Sequence, residues 1–320
     1  MTRKRLLDLL KVAVSLVLII ILLRSINLNA LWEVVRNADP WYLLAAQIVL
    51  MLGVVVRAYR WQILVHDQRV DASLRELASL YFVGFLFNNL LPSGFGGDAV
   101  KMYELSQRSH QGAEAVSSVL VDRFMGLIAL QMIGLVALVF SWQLVPSEIK
   151  VLTVLLFGVS LLAAWVVSYR RLWEFLAERV PLFDRLLSIE AVHSLVSSLQ
   201  SYSGSALLRA LGVGLVFNVL LIAANVLIGV SLGVDLPLAY YMIFVPLTSL
   251  VLILPISFAG LGVREGTYVV LFRQAGVAPE VALSMSLLVY VLGTVAPGLV
   301  GGVIYVLRGA RGYREVKQES

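Results

Sequence analysis

A chain of 320 residues that is 60% hydrophobic and only 14% charged, with a mean hydropathy of +0.90, is too apolar for a soluble protein and belongs to the polytopic membrane class. Because the sequence contains no cysteine, disulfides, thiolate metal sites and cysteine nucleophiles are excluded. The net charge of +5 comes mainly from basic residues at the ends of predicted spans and in the C-terminal tail, which indicates membrane orientation and argues against nucleic-acid binding.

The chain begins with two predicted transmembrane spans, at Leu6–Leu23 and Trp41–Val65. The first follows a basic N-terminus, as in a signal peptide, but its apolar run is too long and lacks a small-residue cleavage site. Near the end of the second span, Arg57 and Arg60 lie one helical turn apart. Two interpretations stay open for these arginines: they extend to the lipid headgroups, or they clamp a lipid phosphate.

A proline and several glycines interrupt the next apolar run. Leu77–Leu91 contains 15 residues, or about 22 Å of helix, which is too short for the roughly 30 Å of hydrocarbon in a bilayer. Pro92 starts a break, and Gly94, Gly96 and Gly97 allow the positive φ values and close backbone approach of a tight reversal. Because unpaired backbone is tolerated at membrane depth only inside protein or beside a wet cavity, we predict a re-entrant hairpin next to a polar pathway.

Three further spans are predicted at Glu114–Phe140, Ile149–Ser168 and Ala206–Leu232. Asp122 and Arg123 lie about two turns into the first of these, where a charge is costly unless it faces a cavity or another charge. They are therefore either lipid-binding residues or members of a structural salt bridge between helices. In the first interpretation, Asp122 meets Arg57, Arg60 or Lys101. Arg123 then reaches the anionic lipid group or Asp98.

Between the last two of these spans, residues 170–205 alternate basic and apolar side chains. This pattern predicts an amphipathic connector that lies in the cytoplasmic interface. In the span that follows, Asn218 and Asn225 share one helix face. Buried amides at such positions more often join helices than bind ligand.

The second half of the chain repeats the interrupted hairpin over Leu238–Leu271. Its features follow in the same order as in the first hairpin: Leu254-Pro255, then Ser257, Gly260 and Gly262, then Arg264 and Glu265. Matching interrupted segments in two halves, here about 1–140 and 149–307, are the sequence indication of a transporter-like binding site.

The last predicted span, Val281–Leu307, contains Gly298 and Gly302 at the spacing of a close-packing contact. Basic residues place both termini in the cytoplasm under the positive-inside rule. The fold class is therefore an all-α polytopic membrane protein, a single integral domain of residues 1–320 with six full spans and two re-entrant hairpins of opposite orientation. This arrangement is an inverted repeat.

Four segments of the sequence resemble one family: RAYRW at 57–61, NNLLPSGFGGDAVKMYEL at 88–105, DRF at 122–124 and PISFAGLGVREG at 255–266. They look like the flippase-like membrane domain of the lysylphosphatidylglycerol synthases, the multiple peptide resistance factors, over nearly the whole chain. The resemblance implies lipid translocation between leaflets, and some relatives are linked to polyprenyl-linked sugars. We expect a stand-alone member without the soluble aminoacyl-transferase domain, which argues against synthesis of a lysyl-lipid.

The predicted function is the flipping of an anionic or aminoacylated phospholipid, or of a polyprenyl-phosphate-linked lipid, in the cell (plasma) membrane. A helix that begins after a glycine turn presents N–H groups and a positive dipole end to a phosphate. Asp98 is alternatively an N-cap. The predicted headgroup-binding residues are Arg57, Arg60, Asn89, Ser93, Gly94, Gly96, Gly97, Asp98, Lys101, Asp122, Arg123, Ser257, Gly260, Gly262, Arg264 and Glu265.

Membrane lipid is the expected partner, no cofactor or metal is expected, and the sequence leaves a homo-oligomer open. Two other classes of function also stay open. A membrane-embedded glycosyl- or lipid-modifying transferase would use Asp98 or Asp122 as a base, although the three histidines are too scattered for a ligand set. A non-transporting scaffold would need neither a wet cavity nor its charges.

Overall fold

The computed structural model describes residues 28–91, 95–143, 146–168, 173, 179, 189–252, 257 and 260–319. Every regular element in these ranges is helical, which confirms the predicted fold class. In chain order the helices are α1 (Leu28–Arg36), α2 (Pro40–Asp67), α3 (Leu74–Leu90), α4 (Gly96–Ser109), α5 (Gly112–Phe140), α6 (Ser147–Ser168), α7 (Glu190–Gln200), α8 (Gly204–Ser231), α9 (Leu238–Val251), α10 (Val263–Gln274), α11 (Pro279–Tyr290) and, after a π-helical segment (Val291–Val295), α12 (Ala296–Glu319).

Four helical stretches in the described ranges are long and apolar enough to cross a membrane: α2, α5, α8 and the continuous stretch Pro279–Arg308. They coincide with four of the predicted spans to within a few residues. Helix α6 starts two residues before the predicted span Ile149–Ser168 and ends with it. The predicted first span, Leu6–Leu23, lies outside the described residues.

Short polar side chains define where α2, α3 and α8 begin. Asp39 Oδ1 accepts a hydrogen bond from the Trp41 N–H (2.8 Å) just before α2, and Pro40 supplies a φ value suited to the first helical position. Ser73 and Ser203 accept N–H bonds in the same way at the starts of α3 and α8. The helix starts are therefore encoded locally.

Both predicted hairpins contain the expected interruption. The first apolar helix, α3, has 17 residues and ends at Leu90, and α4 begins at Gly96. In the second hairpin, α9 has 14 residues and ends at Val251, and α10 begins at Val263. Helices of 14 and 17 residues extend about 21 and 26 Å, which is less than the hydrocarbon thickness. That the hairpins re-enter the membrane, with opposite orientations, stays a prediction.

The chain forms two compact units. We call the first the hairpin unit; it comprises Met1–Val54, Ser79–Val100 and Val219–Ser320. Its core has the buried ring of Phe272 at the centre, with the rings of Tyr241, Phe244 and Tyr268 at centroid distances of 5.2 to 5.6 Å. The Tyr268 hydroxyl donates to Asn225 Oδ1 at 2.6 Å and so joins α10 to α8. The predicted inter-helix role of Asn225 is confirmed.

Helix α12 packs with its glycines directly against the backbone of α3 in the hairpin unit. A Cβ atom on Gly301 would overlap the carbonyl oxygen of Phe82, and one on Gly298 would lie 3.3 Å from the carbonyl oxygen of Phe85. The predicted close-packing contact is confirmed, and the structure adds Gly301 as its tightest position.

We call the second unit the arginine unit; it comprises Val55–Ala78 and Lys101–Asn218. Here Asn218 Nδ2 donates to the Gly126 carbonyl oxygen at 3.0 Å, which joins α8 to α5 as predicted. Helix α7, the part of the predicted 170–205 connector described as a helix, packs on α5 and α6. Its Ser198 hydroxyl lies 2.6 Å from the Ser117 hydroxyl, which also contacts the Tyr202 hydroxyl. Burial raises the pKa of the Tyr202 hydroxyl above its usual range, so this group stays protonated.

The predicted topology can be tested with single cysteines. The predicted topology places Ser109 and Ser188 on the cytoplasmic side and Ser231 on the outside. Ser188 lies outside the described residues, Ser109 is half-buried, and Ser231 is 4% exposed. Exposed neighbours serve better: Gln107→Cys should react only from the cytoplasmic side and Asp235→Cys only from outside. Labelling of Gln107→Cys in intact cells by an impermeant maleimide would contradict the first hairpin.

Candidate functional site

Charged side chains of α2 and α5 form a buried ion pair in the arginine unit. Arg60 Nε donates to Asp122 Oδ1 at 2.7 Å, and each side chain is 2% exposed. The prediction that Asp122 meets Arg57, Arg60 or Lys101 is therefore confirmed, with Arg60 as the partner. Its neighbour Arg123 is half-buried.

Gly126 makes the space that the Arg60 guanidinium occupies, because a Cβ atom on it would lie 2.9 Å from Arg60 Cζ. Gly214 borders the same guanidinium less tightly: a Cβ atom there would lie at an ordinary contact distance of 3.5 Å from Nη1. Gly126 follows Asp122 by one turn of α5, so a single helix supplies both the carboxylate and the slot. Sequence analysis missed both glycines, because glycine within an apolar span also has simpler packing roles.

The other two cations predicted on this unit lie over aromatic rings. Lys101, which is 4% exposed, has its Nζ 5.3 Å from the ring centroid of Trp61. Arg57 Cζ is 5.2 Å from the ring centroid of Phe217. Both distances fall within the cation–π range of about 6 Å. The Trp61 indole is itself fixed, since its N–H donates to Ser118 Oγ at 3.0 Å.

The hairpin unit brings residues of both interrupted hairpins together. Asn89, in the last turn of α3, donates from Nδ2 to the Thr294 carbonyl oxygen at 3.1 Å. Its Oδ1 accepts from the Tyr290 hydroxyl at 2.9 Å. The aromatic ring of Tyr290 contacts the second hairpin, since Arg264 Cζ lies 4.0 Å from the ring centroid. Tyr290 therefore connects Asn89 of the first hairpin to Arg264 of the second.

Arg264 and Glu265 form a second buried charge pair at the start of α10. Arg264 Nη2 donates to Glu265 Oε1 at 2.5 Å, and the side chains are 8% and 5% exposed. The other carboxylate oxygen, Oε2, accepts the Gly262 N–H at 2.7 Å. Gly260 and Gly262 adopt φ values of +77° and +82°, a conformation that other residues rarely adopt. The predicted positive φ is confirmed at this turn.

At the first turn the glycines play a different part. Gly96 and Gly97 begin α4 and are absent from the described residues with positive φ. The predicted close backbone approach is confirmed at this turn, because a Cβ on Gly97 would overlap the Gly84 carbonyl oxygen. The Gly97 N–H donates to Asn88 Oδ1 at 2.7 Å, a contact that sequence analysis missed.

These contacts change the expected roles of two predicted residues, Asp98 and Glu265. Asp98 lies in the first turn of α4, where a carboxylate favours the positive helix end, rather than at the N-cap. Glu265 already accepts an N–H at the start of α10, so it serves as the local anion there. Ser257 is 7% exposed. Ser93 and Gly94 lie outside the described residues.

Sequence analysis also missed Tyr290 and the π-helical segment that follows it. The one local signal for Tyr290 was a hydroxyl inside an apolar span, which needs a hydrogen-bond partner when buried. A π-helical turn inside an α-helix is often found at functional sites. Among the described residues, no three histidine or acidic side chains are grouped so that they could hold a metal ion.

The helices and their buried charge pairs define a polytopic helical membrane protein with polar clusters in its interior. The chain belongs to the family of lysylphosphatidylglycerol synthase transmembrane regions, whose family model matches residues 9–301. The resemblance drawn from the four sequence segments is therefore confirmed.

Three archaeal proteins are similar to most of this chain. A UPF0104 membrane protein of Methanothermobacter thermautotrophicus is 27% identical over 280 residues, covering 78% of this chain and 80% of its own. A UPF0104 membrane protein of Pyrococcus horikoshii is 21% identical and covers 92% of this chain and 95% of its own. One of Methanocaldococcus jannaschii is 22% identical, with 92% and 93% covered. These relatives support the membrane assignment, and their names state no activity.

Proposed function

We propose that this protein translocates a lipid with a phosphate-bearing headgroup between the two leaflets of a membrane. The observation that carries the proposal is the connection from Asn89 through Tyr290 to Arg264 in the hairpin unit. Short, interrupted helices at matching positions of two halves are typical of transporter binding sites. Membership of the lysylphosphatidylglycerol synthase transmembrane family supports a lipid as the substrate.

Arg264 is the residue best suited to meet the phosphate. Its Nε is buried and has no hydrogen-bond partner among the described residues, although Nη2 binds Glu265. A guanidinium binds phosphate through two parallel hydrogen bonds, and it is favoured where planar recognition of this kind matters. A buried ionisable pair in a membrane protein is costly and commonly marks a substrate pathway.

The surrounding groups would let a headgroup exchange its hydration for protein contacts. Tyr290 holds the guanidinium by a cation–π contact and is itself held by Asn89. Glu265 competes with the phosphate for Arg264, so the pair can return to its closed state after the lipid leaves. The acyl chains remain in the bilayer while the headgroup passes.

Removal of the Arg264–Glu265 charges should slow transport strongly without unfolding the protein. Breaking a buried ion pair by one substitution leaves an unpaired charge, whereas replacing both partners by neutral groups is far milder. We therefore expect Arg264→Gln/Glu265→Gln to remain folded and to lose at least about tenfold in translocation rate, the loss expected of one charge-assisted hydrogen bond. The measurement is leaflet redistribution of a labelled anionic phospholipid in proteoliposomes.

The control is Arg273→Gln, which removes an exposed basic residue from the last turn of the same helix. It should translocate lipid at the unmodified rate. Chemical analysis of the labelled lipid separates the alternatives: unchanged lipid in the opposite leaflet supports a flippase, and a new lipid product supports a transferase. Redistribution no faster than in protein-free liposomes, across lipids with different phosphate headgroups, would overturn the proposal.

A further inference from the structure

A polar cavity of about 300 Å³ lies in the arginine unit, where α2 ends and α8 begins. It is lined by Tyr59, Gln62, Ile63, His66, Asp67 and Arg209. The α2 residues among these recur at the spacing of one helix face. Arg60 and Trp61, which are buried, lie on another face of α2, so this cavity is separate from the Arg60–Asp122 pair.

Hydrogen bonds already fix most of the polar groups of the cavity. Gln62 Nε2 and His66 Nε2 both lie within bonding distance of the Ala72 carbonyl oxygen, at 3.0 and 3.1 Å. The two Asp67 carboxylate oxygens accept from the Ser203 N–H and hydroxyl at 2.8 and 2.7 Å. The Asp67 carboxylate is therefore committed to the start of α8.

Arg209 is the cavity group that remains available to a ligand. Its side chain is exposed, and among the described residues its hydrogen bond is from Nε to the Ser205 carbonyl oxygen at 3.3 Å. The two terminal nitrogens can then bind an anion, and a guanidinium matches the geometry of phosphate. The cavity chemistry thus favours a phosphate group.

The position of the cavity indicates a membrane lipid as the source of that phosphate. Both α2 and α8 are long enough to cross a bilayer, so a cavity at their ends lies at headgroup depth. Tyr59 is 49% exposed, and tyrosines are enriched at this depth. A volume of about 300 Å³ is at the lower limit for ligand pockets, which suits a headgroup whose acyl chains stay in the bilayer.

We propose that this cavity holds the phosphate of an anionic phospholipid, in the cytoplasmic leaflet according to the predicted topology. Arg209 binds the phosphate, and Tyr59 and Ile63 contact the glycerol region. This second lipid site is distinct from the site proposed for translocation and does not depend on it, since its occupancy can be measured without transport.

The test is native mass spectrometry of the full-length protein in detergent, titrated with phosphatidylglycerol or phosphatidylcholine. The unmodified protein should retain phosphatidylglycerol preferentially. Arg209→Gln should reduce this retention about tenfold, the effect of one charge-assisted hydrogen bond. Ile63→Trp should also reduce it, because the larger side chain fills the cavity without changing a charge. Thermal melting confirms that each variant is folded.

The matched control is Arg75→Gln, which removes another exposed basic residue of the arginine unit that does not line the cavity. The Arg75→Gln variant should retain as much phosphatidylglycerol as the unmodified protein. An equal loss in Arg75→Gln, or no loss in Arg209→Gln, would overturn the proposal. Glycerol phosphate that binds as tightly as the lipid would show that the ligand is a soluble phosphate compound, and would overturn the assignment to a phospholipid.

Discussion

Gly97→Val is expected to prevent the hairpin unit from folding stably and thereby to abolish any transport. A Cβ atom at this position would overlap the backbone carbonyl oxygen of Gly84 and lie 2.9 Å from Asn88 Cγ. The first obstacle is backbone, so a change of side-chain rotamer cannot relieve it. Separation of α3 from α4 would also break the hydrogen bond from the Gly97 N–H to Asn88.

The size of the effect follows from overpacking. Extra methylene groups in a packed interior typically cost about 1 to 3 kcal/mol and occasionally more, and a backbone obstacle places Gly97 at the upper end. Because the overlap begins at Cβ, Gly97→Ala should already lower the melting temperature markedly. The melting temperature of both variants is measured by thermal unfolding in detergent, and size-exclusion chromatography shows whether each variant is folded.

Gly266→Ala is the matched control for this prediction. Gly266 lies within α10 of the same unit, and an added Cβ would meet nothing within 4 Å. Alanine is a better helix former than glycine by about 0.5 to 1 kcal/mol, so this variant should be as stable as the unmodified protein or slightly more so. If Gly97→Ala melts at the same temperature as Gly266→Ala, the close contact of α3 with α4 is wrong.

The spans were predictable from sequence because bilayer thickness sets the length of an apolar run. Predicted and observed ends agree closely for α2, α5 and α8, where Asp39 and Ser203 also provide local start signals. The breaks at the two hairpins were predictable for a local reason, because proline and glycine act on the backbone next to them. The orientation of the protein in the membrane is inferred from the distribution of basic residues among the loops and remains a prediction.

The candidate site was predictable only where a charge required a partner. Asp122 in an apolar span demanded a cation, and the structure supplies Arg60. No such requirement pointed to Gly126, where the absence of a Cβ leaves room for the Arg60 guanidinium. Likewise Tyr290 joins Asn89 to Arg264, although Asn89 lies more than 200 residues before Tyr290 in the sequence. Contacts of this kind depend on how helices pack, and a single sequence does not encode them locally.

Arg60→Met and Asp122→Asn should each lower the stability of the arginine unit strongly, and the double variant should recover most of the loss. Removal of one partner from a buried ion pair typically costs about 3 to 5 kcal/mol, because the other charge stays buried. The Arg60 side chain is 2% exposed and its guanidinium packs tightly against Gly126, so an unpaired Arg60 would remain buried. The double variant contains no such charge.

A double-mutant cycle on the free energy of unfolding isolates the coupling between the two residues. The half-buried neighbour provides the control: Arg123→Gln should show little coupling to Asp122→Asn in the same kind of cycle, because Arg60 is the observed partner of Asp122. Translocation by the stable double variant then separates structure from function. Normal transport would assign the pair to folding alone and leave Arg264 as the proposed phosphate ligand. A folded double variant that no longer moves lipid would place Arg60 in the pathway as well, and strictly additive losses in the cycle would contradict the ion pair itself.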